Sequence, residues 1–365
     1  MRNTNLDGVR GIAALTVAIA HCELHFGGMP AWGLTVFDFP QATRDAITGR
    51  LWYSAFPADA AVAVFFVLSG YVLSQMLERA NLGWRPQLAP YIVKRLFRLL
   101  PTGIVAALPL MVLVPMNLEQ IIGTMMLFDH TVNGPIWSLR VEWGGFLAVF
   151  AIWAVGSRNF ALAVIFVAEC IAFLIPDSLR QYLIIFTLAP TFALGYLIPT
   201  VSETVWKSRP LLWLSLAFLA LFDLAAGKTS LLNYAVECLA AFGFVGCAAH
   251  QSIPLLESRF AQFFGKISFP FYLCGIPAMM IAAPAVDSLI AGHLVARGPV
   301  FANAYATQSN MLFHSFVLAV PTVTIAAGLG WLIHRFIEMP GIRVGEILRK
   351  RIRQSTTASA QPDAP

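Results

Sequence analysis

The chain has 365 residues, 58% of them hydrophobic and only 12% charged, against about 25% charged in an ordinary soluble domain. That imbalance excludes a soluble globular enzyme. The net charge of +5 does not indicate nucleic acid, because the basic residues gather at the ends of apolar runs and form no single stripe.

Runs of about 20 mostly apolar residues cross about 30 Å of hydrocarbon as helices. Ten such runs occur, at 11–26, 57–77, 97–115, 136–156, 160–176, 181–199, 210–226, 231–250, 265–287 and 308–334. The expected fold is therefore all-α, a bundle of about ten transmembrane helices over 1–340, followed at 341–365 by a basic segment and a tail that lacks apolar pattern from 354 onward and is expected to be disordered. With the N-terminus inside, 18 of the 24 Lys and Arg fall in or beside inside segments. The other six, Arg44, Arg50, Arg140, Arg180, Lys228 and Arg297, fall outside, which predicts both termini in the cytoplasm. Arg2 and Arg10 before the first run resemble a signal peptide, but His21, Glu23 and His25 follow with no small-residue cleavage site, so the first helix is expected to stay. Loops 27–56 and 288–307 then face outside. In the first of them Phe37, Phe39, Trp52 and Tyr53 offer faces for sugar rings, against a plain role as interfacial anchors. Residues 118–128 make only about 16 Å of helix and are expected as a half-helix on the outer side. Cys22, Cys170, Cys238, Cys247 and Cys274 show no metal-ligand spacing and read as buried small apolar residues.

Charge inside a span costs several kcal/mol unless it meets a partner or a polar cavity, and three sites stand out. In helix one, eleven residues separate Arg10 from His21, which is about 16 Å of rise and about 20° past three full turns. The histidine is thus expected near mid-membrane on the arginine's face, with Glu23 two residues on. Asp7 reads either as part of that site or as a helix cap. In Y-I-V-K-R-L-F-R-L-L-P, residues 91–101, Arg95 and Arg98 share a face beside Lys94 and suit bidentate contact with phosphate, or serve as a positive-inside anchor. In N-G-P-I-W-S-L-R-V-E-W, residues 133–143, Ser138 and Glu142 share a face at the expected outer start of span four, flanked by Trp137 and Trp143. A small Ser69-Gly70 pair in F-F-V-L-S-G-Y-V-L-S allows close helix approach. Lys266 in F-G-K-I-S-F-P-F-Y-L and Glu338 in F-I-E-M-P read as packing features at inner ends.

Together L-D-G-V-R-G-I-A-A-L with His21, F-F-V-L-S-G-Y-V-L-S, K-R-L-F-R-L-L-P, W-S-L-R-V-E, F-G-K-I-S-F-P-F-Y-L and F-I-E-M-P resemble, in this order, the membrane-bound acyltransferase-3 family, over residues 6–340. That family includes bacterial O-acetyltransferases acting on lipopolysaccharide O-antigen, exopolysaccharide and nodulation factors. One departure is Gly275, which stands where many members carry a histidine. The resemblance implies an enzyme of the inner membrane with no permanently bound cofactor or metal, taking acetyl-CoA or another acyl-CoA as donor and a carbohydrate or lipid-linked glycan as acceptor, amid membrane lipid and compatible with a homo-oligomer. It implies Arg10 and His21 as one motif with His21 the essential histidine, Arg95 and Arg98 at the donor, and Ser138 with Glu142 as a third motif; chemistry adds Glu23 or Glu142 to orient the ring, Arg10 and Lys94 beside the donor's phosphates, and Trp137 with Ser138 for substrate contact. Direct transfer with His21 as base and transfer through an acyl-histidine both fit. The competing reading is a multi-span secondary transporter of a polar or anionic solute, which is disfavoured because the two halves show no matching Gly/Pro-broken helices.

Overall fold

A run of apolar residues in hydrocarbon has one way to satisfy its own backbone, which is to coil. The computed structural model describes residues 3–26, 32–80, 83–174, 184–226, 231–289 and 311–358, and every regular element among them is helical. In chain order the helices are α1 Thr4–Phe26, α2 Arg44–Ala55, α3 Ala58–Glu78, α4 Trp84–Leu113, α5 Leu118–Met125, α6 Ile136–Val155, α7 Arg158–Leu174, α8 Ile184–Leu197, α9 Arg209–Ala226, α10 Leu231–His250, α11 Arg259–Leu289, α12 Met311–Ile333 and α13 Met339–Ala358. A π-helical turn, His334–Glu338, joins the last two. Eight stretches among the described residues are long and apolar enough to cross a membrane, so the protein is an all-α, multi-pass membrane protein. The expected spans at 160–176 and 181–199 correspond to α7 and α8, with 17 and 14 described residues. The second outer loop and the end of the tail, at 290–310 and 359–365, lie outside the described residues.

Helix α1 is the hub, packed against α11, α12 and α3. It begins before Asp7, and the Asn3 side-chain oxygen, not Asp7, accepts the Leu6 N–H at 3.4 Å. Asp7 pairs instead with Arg10 at 3.2 Å. Close approach at Gly70 holds as expected: a Cβ there would sit 2.1 Å from the Phe192 carbonyl oxygen of α8. The cysteines carry no disulfide, and Cys22, Cys238, Cys247 and Cys274 are buried.

Three departures from hydropathy matter for function. First, α4 starts at Trp84, not at 97, and runs for 30 residues. Arg95 and Arg98 therefore lie in the body of a helix, not at its end. The polar flank of α4 is helical because α13 packs along it, with Lys94 and Glu346 paired at 3.0 Å. By the same contact the segment after 340, expected to be basic and then disordered from 354, is helical as far as Ala358.

Second, α5 is the expected half-helix, started by a capping box between Asn117 and Gln120, but the segment it opens does not stay outside. Met125 and Leu127 come against Gly103 in the body of α4. Leu127 is buried at φ 64°, and Asn133 donates to the Leu273 carbonyl at mid-length of α11, 3.1 Å away. Residues 114–135 are thus re-entrant, which irregular backbone tolerates where protein encloses it. As a result α6 starts inside the bundle and carries Ser138 and Glu142 inward.

Third, the outer loop contains α2, which lies on α1. Trp52 is buried and donates its indole N–H to the Ile19 carbonyl at 3.2 Å. Tyr53 is buried as well. Neither ring is available to a sugar, whereas Phe37 is 76% exposed. Arg50, counted as an outer surface charge, is fully buried and pairs with Asp223 of α9 at 3.0 Å, while the Val36 N–H donates to the Leu224 carbonyl at 2.8 Å. These contacts clasp the loop to α9.

Candidate active site

Helices α1, α3, α4, α6 and α11 surround a cleft of ≈ 710 Å³. Its polar lining is Arg10, Ser69, Arg95, Arg98, Ser138, Glu142, Ser268 and Tyr272, set among Phe65, Phe66, Leu99 and Leu139. Arg10, Val72 and Arg98 also line a wider vestibule of ≈ 2140 Å³ and so form a neck between the two spaces. The vestibule lies at the end of the bundle where α1 begins and α13 packs. Six cationic side chains, Arg10, Arg79, Arg98, Lys266, Arg349 and Arg353, face it, together with the carboxylates Asp7 and Glu338.

Arg10, Arg95 and Arg98 each have their own carboxylate. Arg10 pairs with Asp7 at 3.2 Å, Arg95 with Glu142 at 3.6 Å and Arg98 with Glu338 at 3.6 Å. Arg10 is close enough to Arg95, Arg98 and Glu142 to feel their charges, so the six groups form one network across α1, α4, α6 and the π turn. Local sequence explains how Glu338 gets there. Pro340 has no N–H and its ring crowds the preceding turn of a helix. A turn widened to i→i+5 bonding, with the Met339 N–H on the His334 carbonyl, relieves that crowding and rotates Glu338 inward. His334 holds the same carboxylate at 2.6 Å.

The Ser138 hydroxyl donates to the Pro135 carbonyl at 2.9 Å and lies 2.8 Å from the Tyr272 hydroxyl. Trp137 stands behind the wall, edge-on to Phe66 with ring centroids 6.5 Å apart. Lys94 lines neither space, because Glu346 draws it to α13.

His21 lies farther along α1, half-buried, and lines neither space. Its ring is near the Val17 carbonyl one turn back, and in the neutral form one ring nitrogen is an acceptor. The carboxylate whose charge reaches it is Asp59, in the first turn of α3, which also accepts the Trp32 indole N–H at 3.1 Å. Both glutamates expected to orient the imidazole are engaged elsewhere. Glu23, two residues on, is turned by about 200° around the helix and accepts from Ser315 of α12, while Glu142 belongs to Arg95. Between the cleft and His21, α1 presents Ala14, Val17 and Ala18. Opposite them is Gly275, where a Cβ would meet nothing nearer than Ala18 Cβ at 4.0 Å. At the place of the family histidine a methyl group would thus fit in ordinary contact with α1.

Sequence reasoning placed Arg10, Arg95 and Arg98 at the inner end and Ser138 with Glu142 at the outer start of span four, whereas the structure lines one cleft with all five. It missed Tyr272 and Glu338, both inside motifs it had singled out, and Asp59, which reads locally as an ordinary first-turn acid. Among the described residues no group of three or more His, Cys, Asp or Glu could hold a metal ion.

A model of the acyltransferase domain family matches residues 3–334. No curated protein and no solved structure matches the chain. The match stops where the π turn begins, so α13 lies beyond it.

Proposed function

The chain belongs to the acyltransferase-3 family, and from that premise we propose that this membrane acyltransferase moves an acyl group, acetyl in the simplest case, from cytoplasmic acyl-CoA to a hydroxyl of a cell-surface or exported carbohydrate at the inner membrane. The observation that carries the reading is the continuity of a basic vestibule with an arginine-lined cleft inside the bundle. A nucleotide thioester has an anionic end and a long neutral arm. The vestibule suits the first, because guanidinium groups fork onto phosphate oxygens, and the narrow cleft suits the second.

With the N-terminus cytoplasmic, as the charge bias favours, the donor enters where α1 begins, and its phosphates lie against Arg10 and Arg98 at the neck. The arm passes Ser138 and Tyr272 and continues beside Ala18 and Gly275 toward His21. The acceptor hydroxyl approaches from the other side. Its oxygen bonds to the thioester carbonyl carbon, the C–S bond breaks, and the hydroxyl proton passes by way of the acceptor nitrogen of His21 to the leaving thiolate. A transient acyl-imidazole at that nitrogen gives the same balance in two steps. Asp59 favours the positive ring in either case.

Purified full-length protein in lipid nanodiscs, given radiolabelled acetyl-CoA and a crude glycan acceptor fraction, is expected to move label from the thioester to the glycan. Label that stays on coenzyme A with every acceptor, and no binding of acetyl-CoA, would overturn the reading.

A further inference from the structure

The polar lining of the cleft divides by what it can offer a ligand. A hydroxyl has one proton to donate and two lone pairs to accept with, and the partners of three cleft hydroxyls decide which of these remains. Ser138 donates to the Pro135 carbonyl at 2.9 Å. The Tyr272 hydroxyl lies 2.8 Å from that of Ser138 and 3.3 Å from the same carbonyl. Ser268, one turn before Tyr272 on α11, donates to the Gly265 carbonyl at 3.1 Å. Whichever way the protons of Ser138 and Tyr272 are assigned, both are engaged between the two oxygens and the Pro135 carbonyl, and only lone pairs remain for a ligand. We propose that the Ser138–Tyr272 hydroxyl pair is a receptor for an amide N–H of the donor's pantetheine arm and so fixes how far the donor enters the bundle. This rests on the acyl-CoA reading above and specifies which part of the donor the cleft recognises.

Three observations favour an amide. First, the pair is buried, with Ser138 5% and Tyr272 8% exposed, and the tyrosine ring stands edge-on to Phe65 with centroids 6.0 Å apart. Its acceptors are thus fixed and largely out of water, where they call for a donor. An ionised phosphate has only acceptors and does not suit them. Second, an amide also brings a carbonyl oxygen, which needs a donor of its own. Arg95 lines the same cleft, and Glu142 stands 3.6 Å from it, beyond ordinary hydrogen-bond reach, so its guanidinium has N–H groups to give. Third, the remaining wall, formed by Val62, Phe65, Phe66, Leu99, Leu139 and Phe269, is apolar and suits the methylene and methyl groups on either side of the arm's amides. A sugar ring carries polar groups all round and would leave most of them against hydrocarbon. The second amide of the arm finds Ser268, an acceptor of the same kind one turn nearer the vestibule.

The test uses coenzyme A and two analogues, in each of which one amide N–H of the arm is replaced by an ester oxygen. The ester keeps the shape and the carbonyl but turns the donor into an acceptor. In equilibrium titrations of the full-length protein in nanodiscs of zwitterionic lipid, the wild type is expected to bind coenzyme A about tenfold more tightly than at least one analogue, as one hydrogen bond warrants. The double variant Ser138→Ala, Tyr272→Phe is expected to bind coenzyme A and that analogue alike. The Pro135 carbonyl keeps the Ser138 N–H at 3.2 Å in this variant, and retained affinity for the analogue shows in the same titration that it is folded. Should it not fold, Tyr272→Phe alone, which removes one oxygen atom, is expected to narrow the preference. A wild-type protein that binds coenzyme A and both analogues equally, or a variant that keeps the full preference, would overturn the receptor while leaving the acyl-CoA reading intact. A wild-type protein that binds none of the three would overturn the reading and the receptor together. If the double variant keeps its affinity for coenzyme A and instead shows a raised KM for the glycan acceptor, the hydroxyls serve a sugar and the proposal falls.

Discussion

Arg95 and Glu142 meet at 3.6 Å in the cleft, so the charge that α4 carries into the bundle is answered by the one that α6 carries in through the re-entrant segment. Removing one partner strands the other, which for a buried pair costs about 3 kcal/mol. Arg95→Gln and Glu142→Gln are each expected to lower thermal stability in detergent. The double variant should lose clearly less than their sum, with a coupling of about 1–3 kcal/mol. Additive losses would mean that the pair is not coupled.

Two glycines on α11 should respond with opposite signs. A Cβ at Gly265 would stand 2.1 Å from the Asp7 carbonyl oxygen, a backbone atom that cannot yield unless α1 and α11 part. Gly265→Ala should therefore cost about 1–3 kcal/mol or more. At Gly275 there is room, so Gly275→Ala should be neutral or gain up to about 1 kcal/mol from helix propensity. If the acyl arm runs past Ala18, the same methyl group should slow transfer. Thermal unfolding and transfer rates of the two variants check both points.

His21→Gln keeps volume and hydrogen-bonding capacity but cannot take a proton at neutral pH. Transfer should fall by about 10²–10⁴-fold, with acetyl-CoA affinity retained. Asp59→Asn should slow transfer about tenfold, roughly 1.4 kcal/mol on the barrier, again without weakening the donor. Near-normal turnover in His21→Gln would make the histidine a packing residue.

Sidedness can be read by cysteine labelling, because four of the five native thiols are buried. Phe37→Cys should react with a membrane-impermeant maleimide on intact cells. Lys207→Cys, whose parent side chain is 59% exposed, should react only after permeabilisation. The reverse pattern would move the vestibule and its arginines to the outer face.

Much of this was legible in the chain because the bilayer sets helix length and the cost of buried charge, so long apolar runs and the intruding Arg10, Arg95, Arg98 and Glu142 announce themselves. The rest depends on contacts between segments far apart in sequence. Glu23 is near His21 along the chain but faces α12, whereas Asp59 reaches the histidine from α3. Trp52 and Tyr53 look like surface aromatics until α2 is laid on α1. The start of α4 is polar and reads as loop, since hydropathy does not register the cover that α13 provides. Likewise the re-entrant path of 114–135 is invisible to a count of apolar residues, because what makes it tolerable is the protein around it.

The clasp between Arg50 and Asp223 sets a timetable for biogenesis. The arginine leaves the ribosome long before its aspartate, and at about 5–20 residues per second it spends on the order of ten seconds or more without its counter-ion. During that interval α2 can rest on α1 through Trp52, but the outer loop stays open on its α9 side. Arrival of α9 closes it. Insertion of the first helices and their final packing are thus separate events, and a chain stalled before Asp223 should remain a ready substrate for membrane quality control.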